Sequence, residues 1–215
     1  MNVYPIFSTP LLVGSFPHHV KHKKRFKNFN KVDRRPSTWT QPLNTSFPNV
    51  TSDDPFVSND DIMALKSDIL IYLKSVMRKY NMPEDVFYAD FWYNAYYNGD
   101  GQEMHDHLSE VNHNPFWSGI YFCRNCHTGS LTLTRRDQSN RLQQACNWNN
   151  TDPQLAQHYE PTVDPQIDDG TIILFPPHVY HQVKYNSDQM RLTFSFNIYR
   201  EPLKAQLSDG TTIKI

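Results

Sequence analysis

Glycine and cysteine are scarce, no hydrophobic run is long, and neither sign of charge prevails. Three cysteines, an odd number in 215 residues, do not make a disulfide-stapled scaffold, so a reducing, cytoplasmic setting is the expectation. No stretch approaches the roughly 18 apolar residues of a helical membrane span. A net charge of −1 and a pI near 6.8 give no global pull towards nucleic acid or a membrane surface. The opening MNVYPIFSTPLLVGSFP lacks a basic leader and is interrupted by Pro5 and Pro10, so it reads as an opening strand rather than a signal peptide. With no Gly/Ser linker and no internal repeat, one domain over 1–215 is expected.

Aromatic residues are plentiful, at 13% with 12 Tyr and 13 Phe, and 15 Pro stand beside only 7 Gly. Aromatics suit pleated, half-buried surfaces, and many prolines suit a chain of short strands and turns. The expectation is a mainly β protein. The mean hydropathy of −0.67 fits a core carrying long polar loops. One such loop is expected at 17–55, with a short strand around Thr38 to Thr40. It holds Lys21, Lys23, Lys24, Arg25, Lys27, Lys31, Arg34 and Arg35 against Asp33. Such a run is usually a solvated face, and the sharper alternative is a patch for an anionic partner. A second loop or lid is expected at 137–168, which is polar and aperiodic.

Between the loops lies one clear helix. Ser58 or Asn59 can cap it, Asp60 and Asp61 favour its first turn, and Pro83 stops it. Ile62, Leu65, Ile69, Leu73, Val76 and Met77 recur at helical spacing, giving an amphipathic helix of about 20 residues that should lie on a sheet. After residue 84 the sequence reads as strands: DVFYADFWYNAYY, PFWSGIYFC, SLTLTR, TIILFP and MRLTFSFNIYR.

The chemistry-bearing residues fall in two of these stretches. After the turn cluster Asn98-Gly99-Asp100-Gly101 come His105-Asp106-His107. In an extended strand, residues i and i+2 share a face, so both imidazoles can reach one metal. Alone, this spacing is more often surface histidine. Later, a buried strand leads through a Pro-Pro turn to His181, and ten residues on Arg191 opens an alternating strand. There Arg191, Thr193, Ser195 and Asn197 share one face, opposite Leu192, Phe194 and Phe196. A polar face containing arginine suits a pocket lining better than a sandwich core. Imidazoles leaving open positions suit non-haem Fe(II). The planar fork of arginine suits a carboxylate such as the distal one of 2-oxoglutarate, with a hydroxyl two residues along, Thr193, to assist.

The ordered series IFSTPLLV, WYNAYYNGDGQEMHDH, WSGIYF, GSLTLTRRD, GTIILFPPHVYHQV and RLTFSFN resembles the 2-oxoglutarate/Fe(II)-dependent oxygenases, in particular a bacterial and phage group. The resemblance implies a double-stranded β-helix (jelly roll) and the cofactors Fe(II) and 2-oxoglutarate. It further implies oxidative decarboxylation to succinate and CO2 coupled to hydroxylation of a substrate C–H bond. His105 and His181 would be iron ligands and Arg191 the 2-oxoglutarate anchor. The usual carboxylate two residues after the first histidine is here His107. A three-histidine site of His105, His107 and His181 is favoured over one with water or chloride in the gap. Asp106 would need a bulge to reach the metal, and Glu103 is a weaker substitute.

Asn94 and Tyr121 are on strands that would flank the iron, as 2-oxoglutarate contacts or as ordinary interior packing. Arg135 or Arg136 facing substrate is less expected than a surface arginine. His178 competes with His181 but fits the spacing to Arg191 less well. His18, His19, His22, His113, His127 and His158 are expected on loops. Cys123-Arg124-Asn125-Cys126-His127 matches the c-type haem pattern, but no export signal accompanies it. A zinc site of Cys123, Cys126, His127 and Cys146 is the stronger variant, and simple thiols are the default. The expected partners are O2 and a protein side chain, nucleotide or small metabolite, with no membrane or nucleic acid and with a homodimer allowed. The rival class is a cupin-like metal-binding β-sandwich, or a phage structural protein, without catalysis.

Overall fold

The computed structural model describes residues 9–108, 114–124, 131–134, 162–185, 187–200, 204–206 and 212–214. In chain order the elements are β1 (Leu12–Ser15), α1 (His19–Lys23), β2 (Asn44–Thr45), α2 (Asn59–Lys79), β3 (Val86–Tyr96) and β4 (Gly101–His105). They continue as β5 (Trp117–Arg124), β6 (Leu131–Thr134), β7 (Thr162–Val163), β8 (Thr171–Phe175), β9 (Tyr180–Lys184) and β10 (Arg191–Arg200). A two-stranded pair, β11 (Lys204–Gln206) and β12 (Thr212–Lys214), follows. The molecule is mainly β and its named strand pairs are antiparallel.

A six-stranded sheet runs β1-β8-β5-β10-β3-β2 and a four-stranded one β4-β9-β6-β7. Helix α2 covers the outer face of the larger sheet. The Ser58 hydroxyl accepts from the Asp61 amide at 3.2 Å and donates to the Asp61 carboxylate at 2.8 Å, which caps the first turn. Ile62, Leu65, Ile69, Leu73 and Met77 are its buried stripe, packed with Phe91, Tyr93, Phe194 and Phe196. The opposite face of the larger sheet meets the smaller one. Tyr96, Ile120, Phe122, Ile173 and Phe175 there form a second core with Leu131, Leu133, Val183 and Tyr185. Strand β10 is central and buried on both faces through Ile198. The polar row from Arg191 to Asn197 is therefore turned inward, between the sheets.

Three expectations are corrected. No strand forms at 38–40; the short strand of that region is β2, pairing with β3 through Asn44↔Ala95 and Thr45↔Asn94. Within the basic stretch, four side chains pair with carboxylates across the fold, while Lys24, Lys27 and Lys31 are exposed. Lys21 pairs with Asp68 at 2.7 Å, Lys23 with Asp169 at 2.5 Å, Arg25 with Asp61 at 2.9 Å and Arg34 with Asp54 at 3.1 Å. The region is not simply a solvated loop, because Phe26 and Leu43 enter the two cores. His19 and His22 belong to α1 rather than to a loop, and His22 is buried with Nε2 2.8 Å from Asp68. Among the described residues no helix is long and apolar enough to cross a membrane. Residues 1–8, Arg135, Arg136, Cys126, His127, Cys146, His113, His158 and most of the 137–168 loop lie outside the described residues.

Candidate metal centre

The turn after β3 sends the chain back as β4, with Gly99 at φ +89°, a conformation glycine adopts freely. Strand β4 pairs with β9 in the register Gln102↔Val183 and then His105↔His181. The register shifts by one residue between those pairs, so a bulge brings His105, in place of Met104, opposite His181. His107 follows just beyond the strand end, where its amide donates to the Pro177 carbonyl at 2.9 Å.

The three imidazoles converge. Ring centroids are 4.2 Å apart for His105 and His181, 4.9 Å for His107 and His181, and 5.6 Å for His105 and His107. One ring nitrogen from each lies within 4.8 Å of the others, close enough to hold a metal ion. The protons are placed by what each ring touches. A carbonyl oxygen only accepts, so Nδ1–H of His105 donates to the Glu103 carbonyl at 2.7 Å and Nδ1–H of His181 to the Val179 carbonyl at 3.0 Å. Nδ1 of His107 is 2.7 Å from Oδ1 of Asn197 and 2.8 Å from Oγ of Ser118. In all three rings Nε2 is then the nitrogen with a free lone pair. Burial depresses the basicity of each. It does so for His105; with the neighbouring His105 it carries His107 down to about 4; and with His105 and His107 it carries His181 well below the ordinary range. Neutral imidazoles are what a metal needs.

Other candidates are located elsewhere. The Glu103 carboxylate turns away to accept from the Thr40 amide and hydroxyl and from the Gln41 amide at 2.7 Å. Burial opposes its charge, but these hydrogen bonds prevail and hold it at about 2. Asp106 caps the Leu108 amide at 3.2 Å. His178 is exposed in the turn before β9. Tyr121 is corrected most clearly: it faces the helix-side core, where its hydroxyl meets His19 Nδ1 at 2.8 Å, so the sheet separates it from the imidazoles. Cys123 is buried in that same outer core.

A cavity of about 560 Å³ opens beside His105 and His107, walled by Trp39, Phe47, Trp92, Asp90 and Tyr199. Sequence periodicity had singled out none of these, because Trp39 and Phe47 come from the loop and meet Trp92 only through tertiary packing. Arg191 lies deeper between the sheets and is only 2% exposed. Its guanidinium carbon sits 5.3 Å from the ring centres of both Tyr96 and Phe122. Among the described residues its Nε and Nη1 have no hydrogen-bond partner, and neither do Oγ1 of Thr193 and Oδ1 of Asn94. Asn94 Nδ2 is 3.2 Å from Ser195 Oγ. A half-turn of that amide keeps the bond with roles reversed and leaves the amide nitrogen, a donor, as the buried unpaired atom. Unpaired buried guanidinium N–H groups are costly, and a carboxylate is the group this donor set fits.

A family model described as Putative 2OG-Fe(II) oxygenase matches residues 90–197, half the chain, spanning the three imidazoles and the arginine. The chain belongs to that family. It is a 2-oxoglutarate/Fe(II) oxygenase, and Fe(II) and 2-oxoglutarate are its cofactors. The fold of this oxygenase is similar to solved ones. HygX from Streptomyces hygroscopicus, determined with nickel and 2-oxoglutarate, is 12% identical over 96% of this chain and 92% of that one, with a TM-score of 0.54. A Pseudomonas putida prolyl-4-hydroxylase is 11% identical over 90% of this chain and 94% of that one, with a TM-score of 0.52. AviO1 from Streptomyces viridochromogenes is 12% identical over 90% of each chain, again at 0.52. No curated protein matches the sequence.

Proposed function

We propose that this oxygenase hydroxylates a C–H bond of its substrate, with iron on Nε2 of His105, His107 and His181. The distal carboxylate of 2-oxoglutarate is held by Arg191, assisted by Thr193 and Asn94. Bound together, the metal and co-substrate supply the oxidising chemistry, with 2-oxoglutarate leaving as succinate and CO2 and one oxygen atom of O2 going to the substrate.

The protein's own contribution is placement. Three neutral imidazoles, each with Nδ1 engaged, aim their lone pairs at one point and bring no compensating charge, so the metal keeps its full positive charge for an anionic chelator. The guanidinium, held between Tyr96 and Phe122, can give two parallel N–H bonds to a carboxylate. Trp39, Phe47 and Trp92 make an apolar wall at the open side, where a substrate can displace water. We read the two facing sheets as the halves of a double-stranded β-helix forming one domain, and the setting as cytoplasmic.

The observation that carries this reading is the buried arginine with two unpaired N–H groups on the same interior face as the row leading to the imidazoles. A metal-binding sandwich without catalysis has no use for it. The test is thermal melting with Mn(II) in place of iron, with and without 2-oxoglutarate, together with succinate formation in the Fe(II) protein under air. Mn(II) should raise the melting point, and 2-oxoglutarate should raise it further only when metal is present. No response to 2-oxoglutarate and no succinate would defeat the reading.

A further inference from the structure

We propose that Asp90 and Asn197 form a positioning relay that fixes the tautomer of His107 through two successive hydrogen bonds. The inference rests on the reading of His107 as a ligand and goes beyond it.

The relay begins with strand pairing. Strands β3 and β10 run in regular antiparallel register until Asn197↔Asp90, after which Ile198 faces Tyr88 and residue 89 is skipped. Asp90 and Asn197 are therefore direct partners at the edge of a bulge, on the interior face. Asn197 Nδ2 donates to Asp90 Oδ2 at 3.0 Å. A carboxylate can only accept, so this bond settles which end of the amide is which. Oδ1 must then face the other way, where it accepts from His107 Nδ1–H at 2.7 Å and from the Ser118 hydroxyl at 2.9 Å. The consequence passes along the chain of bonds. The carboxylate orients the amide, the amide holds the proton on Nδ1, and Nε2 is left as a lone pair aimed at Nε2 of the other two rings.

Without Asp90 the amide is free to reverse. A reversed Asn197 presents N–H groups to Nδ1, which must then accept, and the proton moves to Nε2, where it blocks the metal. His105 and His181 are fixed by backbone carbonyls, which cannot reverse. Only His107 depends on side chains for its orientation. Asp90 thus stands two hydrogen bonds away from that ring. Tyr199 also reaches Asp90, with its hydroxyl 3.4 Å from Oδ2, and both residues line the cavity.

Two measurements on the purified protein test this. Nitrogen-15 imidazole NMR of the metal-free protein reads the tautomer, and Co(II) titration reads affinity. Wild type should show His107 protonated on Nδ1. Asp90→Ala and Asn197→Leu should move that proton to Nε2 and weaken Co(II) binding by about 10–100-fold, the usual effect of losing an outer-sphere partner. Asp90→Asn, whose side-chain oxygen can still accept from Asn197 Nδ2, should retain the wild-type tautomer. Asp90 is part-exposed, so Asp90→Ala carries the test if Asn197→Leu does not fold. A wild-type tautomer and wild-type affinity in Asp90→Ala would overturn the relay. Were Co(II) lost in His107→Ala but kept in Asp90→Ala, the relay alone would fail. A wild-type protein that binds no Co(II) would end the metal-centre reading as well.

Discussion

Arg191→Met separates a cofactor anchor from a structural arginine by opposite signs. The wild-type side chain is 2% exposed, and its Nε and Nη1 have no hydrogen-bond partner among the described residues. Methionine keeps the apolar stem between Tyr96 and Phe122 and removes a buried charge that, among the described residues, meets aromatic rings but no carboxylate in a salt bridge. Exchanging buried charge for apolar volume is often neutral or stabilising by about 1–4 kcal/mol, so the ligand-free melting point should hold or rise. The response to 2-oxoglutarate should vanish. Two charge-assisted hydrogen bonds at about 1.5–3 kcal/mol each are worth about two to four decades of affinity at ~1.4 kcal/mol per decade. In wild type with Mn(II), 2-oxoglutarate at about 100 times its Kd should add ~2.7 kcal/mol. At roughly 2–4 °C per kcal/mol for a chain of this size, that is a shift of about 5–11 °C. Scanning fluorimetry of both proteins with Mn(II), with and without 2-oxoglutarate, is the assay. A variant that melts far below wild type yet keeps the 2-oxoglutarate shift would refute the reasoning.

Three further outcomes are expected. His181→Ala should lower Co(II) affinity by more than the ~100-fold ceiling of outer-sphere changes, and isothermal titration checks it; retained binding would exclude His181 as a ligand. The metal-free protein should lose stability as pH falls from about 6.5 towards 4, because the unfolded chain takes up protons that the buried imidazoles resist. For His107, held at about 4, the loss is on the order of 3 kcal/mol. The loss is absent above pH 6.5 and complete below 4, so His107→Phe should flatten that part of the denaturation profile. Leu65→Ala, on the fully buried stripe of α2, should cost about 2–5 kcal/mol in urea unfolding. Ile71→Ala, on the exposed face of the same helix, should cost no more than about 0.5 kcal/mol.

The parts of the site that were legible in the sequence are those that local periodicity controls. Alternation along residues 191–197 put Arg191, Thr193 and Asn197 on one face, and β10 has that face turned inward. The stripe from Ile62 to Met77 is the buried face of α2, with Val76 off it. What escaped depends on register and long-range contact. Simple alternation would place Glu103 with His105, yet Glu103 is drawn outward by Thr40 and Gln41, contacts more than sixty residues away in sequence. Tyr121 was a fair candidate by strand position, but which face of β5 looks inward follows from pairing with Phe194, and that pairing puts it on the helix side. Asp90 carried no signal at all, because its role exists only once β3 and β10 are in register.

Because His105 and His181 are cross-strand neighbours in a backbone ladder, their separation is dictated by main-chain hydrogen bonds and owes nothing to the identity of the rings. The ladder is thus a mount: backbone pairing brings two of the three imidazoles together before any ligand is present.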